Sequence, residues 1–138
     1  MKNRHFLALT ATMLLVVPVS LQAAEAAMPV AVAESGTFEV VGRLQDEGFV
    51  FYIDRADSNA PVHGATLEVE TGGKAAKAAF RADRGDYLIA DATWLKPLRQ
   101  PGEYPLALTV IAGAESDLLT ADFDVFPAST ATGAGDGF

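Results

Sequence analysis

The sequence predicts an all-β protein, an antiparallel sandwich of about seven strands, and three observations predict it. Apolar side chains recur at every second position through most of the chain, which is the period of a half-buried strand. Short clusters of Gly, Pro, Asp and Asn break these runs at intervals of about ten residues, as turns between strands do. Hydrophobic residues make up 50% of the 138 positions and there is no cysteine, so one domain must fold by apolar burial without disulfides.

The first segment reads as an address. Lys2, Arg4 and His5 precede an apolar run from Phe6 to Val19, and Ala24-Glu25-Ala26 supplies the small-x-small pattern of a cleavage site. The run is about 14 residues, short of the roughly 20 that span a bilayer, so residues 1–26 are expected to be a signal peptide removed near Ala26. No cysteine follows it to carry a lipid. The mature protein is therefore expected in a bacterial periplasm, with no direct membrane insertion. Residues 27–36 read as an N-terminal linker, 37–126 as the sandwich and 127–138, rich in Ala, Ser, Thr and Gly, as a disordered tail.

Within the sandwich each run is justified by its pattern. Thr37 to Leu44 sets Phe38, Val40, Gly42 and Leu44 against Thr37, Glu39, Val41 and Arg43. Gln45-Asp46-Glu47-Gly48 has the length and chemistry of a hairpin turn. The return run puts Phe49, Phe51 and Ile53 on one face and Val50 and Tyr52 on the other, and two apolar faces mark a central strand or one that meets a partner. A polar loop from Arg55 to Ala60 ends in Pro61. Ala65 to Thr71 alternates Ala65, Leu67 and Val69 with Thr66, Glu68 and Glu70, a strand wet on one side. Gly72-Gly73 is the strongest turn signal. The Ala-rich segment from Lys74 to Ala82 returns as a strand, because so short a segment makes a poor lone helix. Tyr87 and Ile89 form the next run, and Trp94 and Leu95 precede a surface loop over 96–102 that holds two prolines and a glycine. Tyr104, Leu106, Leu108 and Val110 alternate in the next strand, and Leu119, Ala121, Phe123 and Val125 in the last. The expected core holds Phe38, Phe49, Phe51, Leu67, Val69, Tyr87, Trp94, Leu106, Leu108, Leu119 and Phe123. An immunoglobulin-like topology accommodates this series of strands.

Chemistry-bearing residues are sparse. A formal charge of −8 opposes nucleic-acid binding. Cleavage of the leader, which holds Lys2, Arg4 and Glu25, makes the chain more acidic still. There is no Walker loop, GxGxxG, HExxH or Gly-x-Ser-x-Gly elbow. His63 is the one histidine past the leader, in the turn Pro61-Val62-His63-Gly64, so catalysis is not expected. Past the leader His63 and Met28 are the only soft ligands for copper, which makes a periplasmic copper-handling carrier the alternative reading, and no cofactor or metal is expected. Asp54, Asp57 and Asn59 cluster in one loop without calcium-loop spacing, which reads as a solvated turn or a weak calcium site. Asp83 with Asp86 and Asp122 with Asp124 have the same solvated reading. Partner contacts are expected at Val50, Tyr52, Trp94 and Leu98, since a small sandwich can recognise a partner by a face, edge or loop end.

Three stretches together carry a family resemblance. They are Val41-Gly42-Arg43-Leu44 followed by Gly48-Phe49-Val50-Phe51-Tyr52-Ile53-Asp54-Arg55; Ser58-Asn59-Ala60-Pro61-Val62-His63-Gly64-Ala65-Thr66-Leu67-Glu68-Val69; and Pro101 to Val110 running on to Glu115-Ser116-Asp117-Leu118-Leu119. In this order they resemble the extra N-terminal periplasmic domain of adaptor (membrane-fusion, HlyD-type) subunits in heavy-metal resistance-nodulation-division (RND) efflux systems. The resemblance covers residues 37–126. It implies a non-enzymatic protein–protein interaction module associated with transmembrane efflux, whose partner is an adaptor or an RND pump component. The helical hairpin, lipoyl-like domain and β-barrel of a complete adaptor have no counterpart in this sequence, so the resemblance implies a freestanding module or one piece of a split gene. The methionine-rich metal sites of some copper adaptors are also missing, and metal delivery is not implied.

Overall fold

A computed structural model describes residues 29–127. The expected signal peptide, Met28 and the expected tail beyond Pro127 lie outside the described residues. The strands are β1 (Val30–Glu34), β2 (Phe38–Gln45), β3 (Gly48–Arg55), β4 (Thr66–Thr71), β5 (Lys74–Arg81), β6 (Asp86–Ile89), β7 (Gly102–Ala112) and β8 (Glu115–Val125). The fold is the expected all-β antiparallel sandwich, with eight strands among the described residues where about seven were counted in sequence. The added strand is β1, which lies in the segment read as a linker and pairs along its length with β2.

Hydrogen bonding runs in the single succession β1-β2-β3-β6-β5-β4-β7-β8. The two halves join at β5, where Lys74 to Ala78 pair with β4 and Ala79 to Arg81 pair with β6. A strand that changes partners in mid-course makes a corner, so one face of the sandwich continues into the other. The sheet comes nearly full circle, and β1 and β8 lie side by side across a seam that carries no ladder among the described residues. One end of the sandwich holds the turns Asp46-Glu47 and Gly72-Gly73 and the connection over 90–101. The other end holds the connections over 35–37, 56–65, 82–85 and 113–114.

Local chemistry explains the turns. Gly72 and Gly73 have φ of 60° and 78°, the left-handed pair that a two-residue hairpin demands. Gly48 opens β3 at φ 147°, and a Cβ there would lie 2.2 Å from the carbonyl oxygen of Ile89, so the β3–β6 pairing requires glycine.

Every residue of the expected core is buried. Phe49 and Phe51 stack at 4.6 Å between centroids, and Phe123 from the opposite face meets Phe49 at 4.8 Å. Just before the segment read as a surface loop stands a short helix, α1 (Ala92–Leu95), and the first residues of that segment form a 3-10 turn (Lys96–Arg99). Asp91 caps α1, its Oδ1 accepting from the backbone N–H of Thr93 at 3.0 Å and of Trp94 at 3.2 Å. Pro97 fits the start of the 3-10 turn, where no N–H is needed. Trp94, Leu95 and Leu98 are buried and plug that end of the sandwich, with Trp94 edge-on to Phe49 at 6.2 Å.

Two tyrosines pin the connections between faces. The Tyr87 hydroxyl donates to the Val62 carbonyl at 2.7 Å and accepts from the Ala65 N–H at 3.0 Å. The Tyr104 hydroxyl lies 2.7 Å from the carbonyl oxygens of both Pro97 and Gln100, and its single proton serves one of them at a time.

Candidate functional site

Of the four expected contact residues, the structure leaves one at the surface. Tyr52 is 48% exposed, whereas Val50, Trp94 and Leu98 are 2%, 3% and 1% exposed. Trp94 and Leu98 belong to the plug, because α1 and the 3-10 turn aim them into the core where an irregular loop would have left them outside. Val50 points to the outer side of β3 but is flanked in register by Arg43 and Leu88. The four therefore do not form one site. Tyr52 alone remains of them, and the structure supplies its neighbours.

Its register neighbour is Val41 of β2, and beyond that stands Val32 of β1, the strand in the segment read as a linker. In β1 the alternation is Ala31 and Ala33 inward, each 2% exposed, and Val30, Val32 and Glu34 outward. Register aligns Val32 with Val41 and Val41 with Tyr52, making an apolar row across three strands. The next row runs Val30, Arg43, Val50, Leu88 and Ala79 across β1, β2, β3, β6 and β5. On the other side of the apolar row lie Glu34, Glu39 and Asp54. Along the strands this outer face therefore passes from carboxylates, through an apolar band, to a row carrying one guanidinium. Val32 is 48% exposed, like Tyr52. Valine on the outside and alanine on the inside of β1 was the sequence signal available for this face.

The opposite outer face is different. Glu68 pairs in register with Lys77 on one side and Thr109 on the other, Glu70 with Ala107, and Thr120, Asp122 and Glu68 are exposed. Ile111 and Leu118 are its exposed large apolar side chains.

The remaining expected sites resolve individually. His63 is exposed, its ring 5.6 Å from that of Phe80. The loop of Asp57 and Asn59 is organised by its backbone: the Asn59 N–H donates to the Arg55 carbonyl and the Arg55 N–H to the Ala60 carbonyl, both at 2.8 Å, with Asn59 at φ 63°. Among the described residues no three His, Cys, Asp or Glu side chains gather as metal ligands do. Asp86 is buried and grips Arg81 through both oxygens, at 2.7 and 2.9 Å, while exposed Asp83 stands apart. Arg81 also reaches Glu47 at 2.8 Å. The hydrogen bonds that Arg81 donates to Asp86, joined by the one to Glu47, hold its guanidinium protonated beyond the usual range. Arg55 is likewise pushed up, by its 2.6 Å hydrogen bond to Glu115. Set beside protein-family models, curated proteins and solved structures, the chain matches none of them, so the outer face of β1, β2, β3 and β6 is described by its own geometry alone.

Proposed function

We propose that the protein is a non-enzymatic periplasmic interaction module that docks its Val32–Val41–Tyr52 face onto a component of an RND efflux system, an adaptor or the pump itself. The observation that carries docking is the placement of Val32 and Tyr52, each 48% exposed, in one outward row with Val41, between a row of carboxylates and a row carrying Arg43. A solvated sheet face alternates apolar-in and polar-out, and an outward apolar row departs from that rule where a partner covers it. The carboxylate row on one side and Arg43 on the other give the face a polarity that would fix a partner's orientation. The efflux assignment rests on the sequence resemblance over residues 37–126.

Binding of the purified protein to the periplasmic region of a heavy-metal efflux adaptor, and separately to that of its pump, tests both parts. Tyr52→Glu and Val32→Glu are expected to weaken binding by about tenfold or more while leaving the melting temperature nearly unchanged, as for a central aromatic contact. Unaltered affinity in both variants would remove the face from the proposal. Failure of the unaltered protein to bind either component would remove the efflux role.

A further inference from the structure

We infer that the groove between α1 with its 3-10 turn and the start of β5 is a binding site for a small organic anion, a carboxylate or phosphate carried on an apolar body. The groove has a volume of about 640 Å³ and is lined by Lys74, Ala92, Thr93, Lys96, Pro97 and Gln100. That is the size of a small-molecule site. Two lysines and no carboxylate face it, on a chain whose formal charge is −8. Among the described residues neither lysine makes an ion pair, whereas Arg55, Arg81 and Arg84 all do. Arg99 is held by the carbonyls of Gln45 and Asp46.

The walls are fixed by bonds that leave the donors free. Trp94 Nε1 donates to the Lys74 carbonyl at 3.1 Å, and the Tyr104 hydroxyl donates to the carbonyl of Pro97 or of Gln100, each within 2.7 Å. Asp91, the nearest carboxylate in sequence, is occupied by the N–H groups of α1. Asp46 and Glu47 line a separate groove that shares Ala92 and Lys96 with this one. The Thr93 hydroxyl, the Gln100 side-chain amide and both lysine ammonium groups make no side-chain hydrogen bond among the described residues. Four unengaged donor groups on a pinned backbone recognise an oxyanion, and Ala92 and Pro97 offer apolar wall to the rest of the ligand. None of the lining residues belongs to the Tyr52 face, so this site stands or falls apart from the docking proposal.

A nuclear magnetic resonance titration of the isotope-labelled protein with hexyl phosphate, inorganic phosphate and hexanol tests it. Hexyl phosphate is expected to shift the amides of Lys74, Thr93 and Gln100, with binding that weakens as salt is added. In the Lys74→Gln, Lys96→Gln double variant, both positions being exposed, affinity should fall about tenfold or more. Inorganic phosphate should bind at least about tenfold more weakly than hexyl phosphate, reflecting the lost apolar contact. Absence of shifts, equal binding by the double variant, or hexanol matching hexyl phosphate would overturn the anion site. Inorganic phosphate matching hexyl phosphate would overturn the apolar part of the ligand.

Discussion

Gly42 shows how one absent side chain organises a core. A Cβ there would lie 2.6 Å from the ring of Phe51 and 2.8 Å from that of Phe49. The two rings lie against the β2 backbone, nearly parallel at 7°, and present their stack to Phe123. Gly42→Ala is expected to lower stability by about 1–3 kcal/mol through overpacking, read from denaturant melts, with a changed near-ultraviolet dichroism as the stack shifts. Gly48→Ala meets backbone in place of a ring, and the strained φ adds to the clash, so a loss of at least about 3 kcal/mol is expected from the same melts. Tyr87 makes the pH dependence. Burial lifts its phenol above the usual value of 10.0, against a smaller opposing effect of the Ala65 N–H. The unfolded chain therefore gives up this proton first. The stabilisation is complete below the unfolded value and is lost as pH rises through the lifted folded value. Thermal melts across the alkaline range should show this decline, and Tyr87→Phe should flatten it. At neutral pH the same variant costs about 1–3 kcal/mol, because the Val62 carbonyl loses its donor.

Among the elements, legibility in the sequence followed the contrast between their two sides. Leu67 and Val69 set against Thr66, Glu68 and Glu70 leave no doubt about β4, and its inward side chains are the apolar pair. The Ala-rich β5 was readable through Gly72-Gly73, since a tight hairpin returns the chain as a strand whatever its propensity. The first strand escaped because its pattern is inverted: the small residues Ala31 and Ala33 face in and the valines face out, so hydrophobicity alternates weakly and on the wrong side. The 3-10 turn escaped because Pro97 and Pro101 signal a loop, and α1 because it is only four residues long, although Asp91 before it is a helix-start signal. The loop reading set Leu98 among the contact residues, and Trp94, expected both in the core and as a contact, is core alone; Tyr52 remains a contact residue because it is the one side chain of β3 that is exposed. Burial of Trp94 carries an expected cost: Trp94→Ala should destabilise by about 3–5 kcal/mol in denaturant unfolding, far more than any loop residue would. At the β5 corner, Arg81 ties the strand to Asp86 across the ladder and to Glu47 in the β2–β3 turn. Arg81→Gln should speed amide hydrogen exchange at Ala79 to Arg81 while leaving Lys74 to Ala78, held by β4, as slow as before.

At the scale of the whole molecule, the sandwich separates two surfaces of different character, an apolar sheet face around Tyr52 and a cationic groove at the end plugged by Trp94. The covalent path sets where these lie relative to the chain's course. Strand directions alternate through the even-numbered series, so Val30 at the start of β1 and Val125 at the end of β8 fall at the same end, on either side of the seam. Tension applied through those two points would act across the rungs of the outermost ladders and break them one after another, the arrangement of a zip fastener and not of a shear joint. Anchored at both sides, such a module yields at low force and pays out chain from its first and last strands, while the continuous turn of the sheet at β5 holds the remainder together.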